Sequence, residues 1–447
     1  MSRPTPLSGF PEFLPSQRVA ELAVIDSLRE TFELHGFASV ETRAVEPLEQ
    51  LLTKGETSNE VYVLRRLQAE ADGDDTGWGL HFDLTVPLAR YVLEHAGKLE
   101  FPLRRYQIQR CWRGERPQEG RYREFTQADI DIIGRDELSF DADVEVTEVM
   151  AAALSRLPLP PVTLQVNNRK LIQGFYTGLG ADDPAAVIRV ADKLDKIGPD
   201  GVREQLRTGQ GLDEAQVDRC LALAGIKGTD ASIADDVRAL GVEHPLLDEG
   251  LHDLVRALEA AAPFTTDRFS VVADLRIARG LDYYTGTVFE GRMATHGHLS
   301  ICAGGRYDAL ASDGRTTYPG VGISLGVTRV LAPLIARGLL DGSRSVPSAV
   351  LVALPTEEDR PRAREVARAL RGRGIATEVA ASAAKFGKQI RHADRRGIPY
   401  VWFPGADGRP DSVKDIRSGD QVDADPSAWA PPPADLRPSI ITKESPP

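Results

Sequence analysis

Three stretches carry residue types and spacings that could do chemistry. The first is Arg279-Gly-Leu-Asp-Tyr-Tyr-Thr-Gly-Thr-Val-Phe-Glu290. It holds one fixed positive charge, Arg279, and two adjacent phenols, Tyr283 and Tyr284. Two glycines allow tight backbone, and Thr287 to Phe289 alternates as a strand does. Gly304-Gly305-Arg306-Tyr307-Asp308 closes the unit. A structural arginine beside two core tyrosines is the plain alternative, and the density of polar groups argues against it. The second stretch is the hydrophilic loop Arg113-Gly-Glu-Arg-Pro-Gln-Glu-Gly-Arg-Tyr-Arg123. A charge run of this kind is commonly a solvated face. The third is Gln127, Asp129 and Asp131, which a period of two puts on one face of a strand. Three such side chains cannot line an apolar core unpaired, so they point to a polar pocket.

The elements that must position these residues can be read from the same patterns. Tyr106 to Trp112 and Glu124 to Ile133 alternate as strands on either side of the loop. Val271 to Leu275 and Leu299 to Ala303 flank the first stretch as further strands. An antiparallel sheet with the polar cluster on one rim follows. Ser16 starts an amphipathic helix through Phe32 that Gly36 closes, and Phe37 to Val40 reads as a strand. Asp72 to Gly79 is polar and Gly-rich and reads as a turn. Asp83-Leu-Thr85 opens a helix-like run, where one carboxylate and one hydroxyl ordinarily bond local backbone. Asp141 to Leu157 reads as a helix.

The Arg279–Glu290 stretch resembles, without a gap, the histidine-specific signature of the histidyl-tRNA synthetases, and Gly304 to Asp308 resembles the segment that follows it there. Arg113, Glu115, Arg121 and Phe125 are in register with the second class II synthetase motif. Tyr318 to Leu331 resembles the third, with Arg329 as its arginine. That motif ordinarily has an acidic residue just before the arginine, and this chain has Thr328. Gly9 to Glu49 resembles the first motif loosely.

The resemblance implies roles for these residues. Arg113 and Arg279 would flank the α-phosphate of ATP as catalytic cations. Arg121 and Arg329 would hold the γ-phosphate, Phe125 would lie against adenine and Glu115 would accept from its amino group. Asp83 and Thr85 would hold the α-ammonium of histidine. Gln127, Asp131, Arg279, Tyr283 and Tyr284 would complete the histidine site. Neutral imidazole offers one N–H and one acceptor nitrogen. Asp131 can accept from the first, and a tyrosine hydroxyl, Tyr284 by preference, can serve the second. Such a grip rejects isosteres strongly. Arg116 and Gln118 would face the acceptor end of tRNA.

Net charge is −12 with 42% hydrophobic and 27% charged residues. That is an ordinary globular composition, and a local basic face can still bind nucleic acid. Cys111, Cys220 and Cys302 are scattered without metal-ligand spacing, so reduced thiols, no protein metal site and a cytoplasmic setting are expected. The first residues lack the apolar core of a signal peptide, and no apolar run is long enough to span a bilayer.

The fold class expected is α+β. An antiparallel-sheet catalytic core of the class II synthetase type spans residues 1–168 and 264–342. A mostly helical insertion at 169–263 interrupts it, and Arg337 to Pro347 reads as a polar linker. Alternating strands and helices then give a C-terminal α/β domain over 343–430, before a Pro-rich tail at 431–447 read as disordered. The C-terminal part resembles an anticodon-binding domain, in which Lys385, Lys388 and Arg391 on one basic helix would contact tRNA phosphates. The resemblance implies a homodimer that uses L-histidine, ATP with Mg²⁺, and tRNA(His). Two other readings share the core: a non-catalytic histidine sensor, the regulatory subunit of ATP phosphoribosyltransferase, and a tRNA-sensing module. The first would lack the C-terminal domain and parts of the signature, and the second would sit inside a larger signalling protein.

Overall fold

The computed structural model describes residues 4–52, 60–66, 77–278, 283–297, 299–405 and 408–443. The chain divides into two compact units, residues 1–11 with 25–332, and residues 12–24 with 333–447.

The first unit is built on a nine-stranded sheet. Its strands are β1 (Ala38–Ser39), β2 (Leu103–Trp112), β3 (Glu124–Ile133), β4 (Val162–Asn168), β5 (Lys227–Gly228), β6 (Phe269–Asp274), β7 (Thr287–Met293), β8 (Ser300–Ser312) and β9 (Thr317–Gly326). They lie in the order β1-β2-β3-β9-β8-β7-β4-β6-β5. The central pairings from β2 through β4 are all antiparallel. β2 and β3 form a hairpin in which Trp112 faces Glu124 and Leu103 faces Ile133. The loop that joins them is the Arg113–Arg123 stretch.

The two faces of the sheet have different cover. Helix α1 runs from Pro15 to Leu34, α2 from Thr85 to His95 and α3 from Asp141 to Arg156. α3 packs on β3, β6 and β9. From β8, Arg306 reaches this side and pairs with buried Asp143 of α3 at 2.5 Å. Thr287 donates to the same carboxylate at 2.6 Å. α2 covers one end of the opposite face, where Leu88 and Val92 pack with Ile133, Ala311 and Tyr318. The remainder of that second face carries the polar residues.

Several sequence expectations change. Trp78–Leu80 is a strand rather than part of a turn, because it pairs with both Val45–Pro47 and Val63–Leu64; residues 72–76 lie outside the described ones. Residues 169–263 are mostly helical, as their patterns indicate, and belong to the first unit. The reason is α4 (Pro245–Ala261), which packs on α3, on β4 and on the helix Arg169–Gly178.

Helix α5 (Val327–Ala336) follows β9. The second unit holds a mixed five-stranded sheet. β10 (Leu340–Gly342) precedes that sheet in the chain, and the strands of the sheet are β11 (Val350–Val352), β12 (Thr377–Val379), β13 (Tyr400–Phe403), β14 (Ser412–Asp415) and β15 (Gln421–Asp423). The order is β12-β11-β13-β14-β15, parallel in the first two pairings and antiparallel in the last two. Helix α6 (Arg360–Gly372) buries Ala363, Val366, Ala367 and Leu370, one stripe at helical spacing. Helix α7 (Phe386–Arg396) carries the basic residues.

The linker and tail readings are both corrected here. β16 (Ile440–Thr442) pairs antiparallel with β10, so residues 431–443 are ordered and 340–342 is a strand inside the unit. Composition misleads because the tail is anchored by charge as well as by backbone. Asp435 accepts from Arg417 at 2.8 Å and from Tyr400 at 2.7 Å.

Candidate active site

The hairpin register places two polar rungs side by side across the sheet. One runs Gln107, Asp129, Ser324, Ala303 and Glu290; the next runs Arg105, Asp131, Gly322, Gly305 and Val288. Gln127, Asp129 and Asp131 do share one face of β3, and all three are buried. Gln127 donates through Nε2 to Ser324 Oγ at 3.2 Å. Asp131 Oδ1 accepts from the Tyr307 hydroxyl at 2.6 Å, and Oδ2 pairs with Arg105 at 2.6 Å. Burial pushes the Asp129 carboxyl up to about 7, with Asp131 and Asp83 adding to the rise and Arg105 opposing it.

The glycines of β9 are what make room for this cluster. A Cβ on Gly322 would sit 2.1 Å from Asp131 Oδ1, and one on Gly320 would sit 2.4 Å from the Tyr307 ring. Only a bare backbone lets a carboxylate and a phenol lie flat on a central strand. Tyr283 stacks on Tyr307 with centroids 5.7 Å apart, and Tyr284 meets Tyr283 edge-on at 5.0 Å. Burial raises all three phenols above their ordinary range, and the Asp131 charge adds to each. All three are therefore neutral phenols, and Tyr307 donates to the Asp131 carboxylate.

Beyond Gln127 the face opens into a pocket. Arg113, Glu115, Phe125 and Arg329, which the sequence reading groups around ATP, line it together with Gln127, Tyr122, Ser300 and Ser324. The Arg113 guanidinium lies over the Phe125 ring, 5.0 Å from its centroid, and donates to the Phe82 carbonyl at 3.0 Å. Arg329 donates to the carbonyls of Gly120 at 2.8 Å and Ser300 at 2.9 Å. Thr328, in place of the acidic residue, is buried and accepts the Thr126 N–H at 2.8 Å. Its hydroxyl thus ties the start of α5 to β3.

Other expected residues fall elsewhere. Arg121 stands half exposed, 3.6 Å from Glu115, and is not among the lining residues. Asp83 accepts the Val86 N–H at 3.0 Å at the start of α2, and its charge also reaches Asp129 and Tyr284. Thr85 is the first residue of that helix. Arg116 and Gln118 are exposed on the hairpin loop. Lys385, Lys388 and Arg391 are exposed in the second unit. Arg279 lies outside the described residues. Arg105, Tyr122 and the site role of Tyr307 were missed. Arg105 was within reach, because pairing Trp112 with Glu124 and counting back along both strands sets Arg105 opposite Asp131.

Comparison with known proteins decides the family. The family model for histidyl-tRNA synthetase matches residues 9–330, and that for the anticodon binding domain matches 349–423. The chain belongs to the histidyl-tRNA synthetase family. It is thus a class II aminoacyl-tRNA synthetase, a histidine–tRNA ligase, and the histidine-sensor reading is not favoured. A histidine–tRNA ligase of Cutibacterium acnes is 60% identical over 99% of both chains. One from Micrococcus luteus is 54% identical over 98% of this chain and 99% of its own. Among solved structures, histidyl-tRNA synthetase from Nostoc sp. PCC 7120 superposes with a TM-score of 0.83 at 34% identity, covering 95% of this chain and 97% of that one. An ATP phosphoribosyltransferase regulatory subunit/histidyl-tRNA synthetase from Bacillus halodurans shares the fold, with a TM-score of 0.70 at 22% identity over 88% and 97% of the two chains.

Proposed function

We propose that this synthetase activates L-histidine with ATP at the pocket of the first unit and transfers it to tRNA(His), with the residue roles that follow. The histidine carboxylate attacks the α-phosphate, forming the histidyl adenylate and releasing pyrophosphate. The 3′ hydroxyl of the terminal tRNA adenosine then takes the histidyl group, and AMP leaves. Arg113 and Arg279 compensate the charge that develops on the α-phosphate, and Arg329 with Arg121 holds the outer phosphates. Phe125 packs against adenine, and Glu115 accepts from its amino group. Asp83, Thr85 and Gln127 hold the α-ammonium. Asp131, Tyr283 and Tyr284 read the imidazole. The reading rests on one observation: Arg113, Glu115, Phe125 and Arg329 share a pocket that Gln127 joins to the buried carboxylate row.

Among the described residues no group of three or more His, Cys, Asp or Glu side chains could hold a metal ion. Mg²⁺ comes on the phosphates of ATP as part of the substrate, which suits an ion that keeps most of its waters. Arg116 and Gln118 on the loop, and Lys388 and Arg391 on α7 with Lys385 just before it, meet tRNA. The protein acts as a homodimer in the cytoplasm. No helix among the described residues is long and apolar enough to cross a membrane. Histidine-dependent ATP–pyrophosphate exchange by the purified protein, followed by charging of tRNA(His), tests the reading. Histidine binding without exchange would overturn it in favour of a sensor.

A further inference from the structure

Arg105 is buried with no exposed surface, and no part of the adenylation chemistry described above uses it. It stands directly opposite Asp131 in the hairpin and pairs with Oδ2 at 2.6 Å. Its other terminal nitrogen donates to Gln107 Oε1 at 3.2 Å. Gln107 donates in turn to Thr42 at 3.0 Å and to Gln109 at 2.6 Å, and Gln109 donates to the Thr42 carbonyl at 3.0 Å. One amide, Gln107, thus holds the guanidinium from behind, and Gln107 is itself held by Thr42 and Gln109. On its open side Asp131 keeps the bond from Tyr307. These two contacts orient the Asp131 carboxylate.

We infer that Arg105 is a positioning residue for ring recognition: it aims Asp131 and cancels its charge, so that the pocket reads the neutral imidazole. This rests on the reading of Asp131 as a histidine contact. A lone buried carboxylate would prefer imidazolium; a carboxylate already paired with an arginine gains little from a second cation. The charged and titratable groups facing Asp131 among the described residues are Arg105 on β2, Asp129 on β3, Tyr307 on β8, Tyr283 and Tyr284 before β7, and Asp83 before α2. Arg105 pairs with Asp131 directly.

The test is pyrophosphate exchange by Arg105→Met, Arg105→Lys and Asp131→Asn, with histidine and ATP varied separately between about pH 5.5 and 8.5, across the imidazole titration. Arg105→Met should raise the histidine KM about tenfold or more with the ATP KM nearly unchanged, as expected when a buried polar contact to substrate is lost. In the wild type, kcat/KM for histidine should fall below about pH 6.5 as free imidazole takes a proton. In Arg105→Met it should fall less, because the complex can hold one more proton, on the ring or on Asp131. Arg105→Lys, which keeps the cation and loses the fork, should lie between and keep the wild-type pH profile. A folded Arg105→Met with unchanged histidine KM and pH profile, or with both KM values raised alike, overturns the inference. If Arg105→Met does not fold, Arg105→Lys decides by the same KM comparison. Asp131→Asn with wild-type histidine kinetics would instead show that the reading of Asp131 itself is wrong.

Discussion

Replacing Gly322 with alanine should damage histidine recognition while sparing ATP. The added Cβ would sit 2.1 Å from Asp131 Oδ1, 2.5 Å from its Cγ and 2.6 Å from the Ile130 carbonyl oxygen. The last is backbone in a central strand and cannot yield far. The carboxylate therefore has to move by about an ångström or more to regain ordinary contact. Its 2.6 Å bond from Tyr307 and its 2.6 Å pair with Arg105 do not both survive that shift. Losing one hydrogen bond to a charged group costs about 1.5–3 kcal/mol, which is roughly 10- to 100-fold in kcat/KM for histidine. Overpacking should also lower stability by about 1–3 kcal/mol. Gly322 is not among the residues that line the pocket with Arg113, Phe125 and Arg329, so the ATP KM should stay close to wild type. Pyrophosphate exchange with each substrate varied, beside a thermal melt, reads both effects. A folded variant whose histidine kcat/KM is unchanged would refute the assignment of Asp131 to the ring.

Arg279→Ala should lower adenylation by about 10²–10³-fold, the usual loss for a transition-state charge contact; near-normal pyrophosphate exchange would remove Arg279 from the catalytic set. Thr328→Glu should be tolerated, since a carboxylate can take over the Thr126 N–H, and a large loss of ATP affinity would show that the site depends on a neutral residue there. Asp129→Asn should change how stability depends on pH. In the fold the Asp129 carboxyl, raised from 3.8 to about 7, keeps its proton where the unfolded chain has lost it. The native state is thus penalised increasingly as pH rises through that window, and asparagine removes the penalty. Relative to wild type the variant should gain melting temperature from pH 4 to pH 8, and a pH-independent difference would refute the burial argument. Ending the chain at Arg437 removes β16 and leaves β10 without its partner. Pyrophosphate exchange should persist while limited proteolysis cuts the second unit faster; unchanged proteolysis would show that the pairing contributes no stability.

Local patterns carried much of the fold. The β2–β3 hairpin, α3 and the alternating elements of the second unit follow from periodicity, because each buries one regular stripe of side chains. The pocket was legible as far as its residues lie close together in sequence, as Arg113, Glu115, Phe125 and Gln127 do. What was not legible depends on partners far along the chain. Tyr307 reaches Asp131 only because Gly320 and Gly322 thin the strand between them, and a glycine seen alone announces no such role. The tail was misread because Pro-rich composition outweighs a short Ile440-Ile441 pair, whose partner strand lies in a segment that itself reads as a linker.

The second unit gathers residues 12–24 with residues 333–447. Gly342 packs closely enough on Ser16 that a Cβ there would lie 2.5 Å from its carbonyl oxygen. These two pieces leave the ribosome far apart in time. At ~5–20 residues per second, the early segment waits roughly 15–60 s for its partners. During that interval the first unit can assemble, while residues 12–24 wait for the rest of their own unit. Nor is the second unit complete when its own sheet has emerged, since β16 comes after all five of those strands. Completion of this unit therefore waits until Ile440–Thr442 has emerged. A nascent chain stalled before β16 would hold a nearly finished first unit and an open strand edge at β10, a form open to capture by chaperones and to pairing with a second copy.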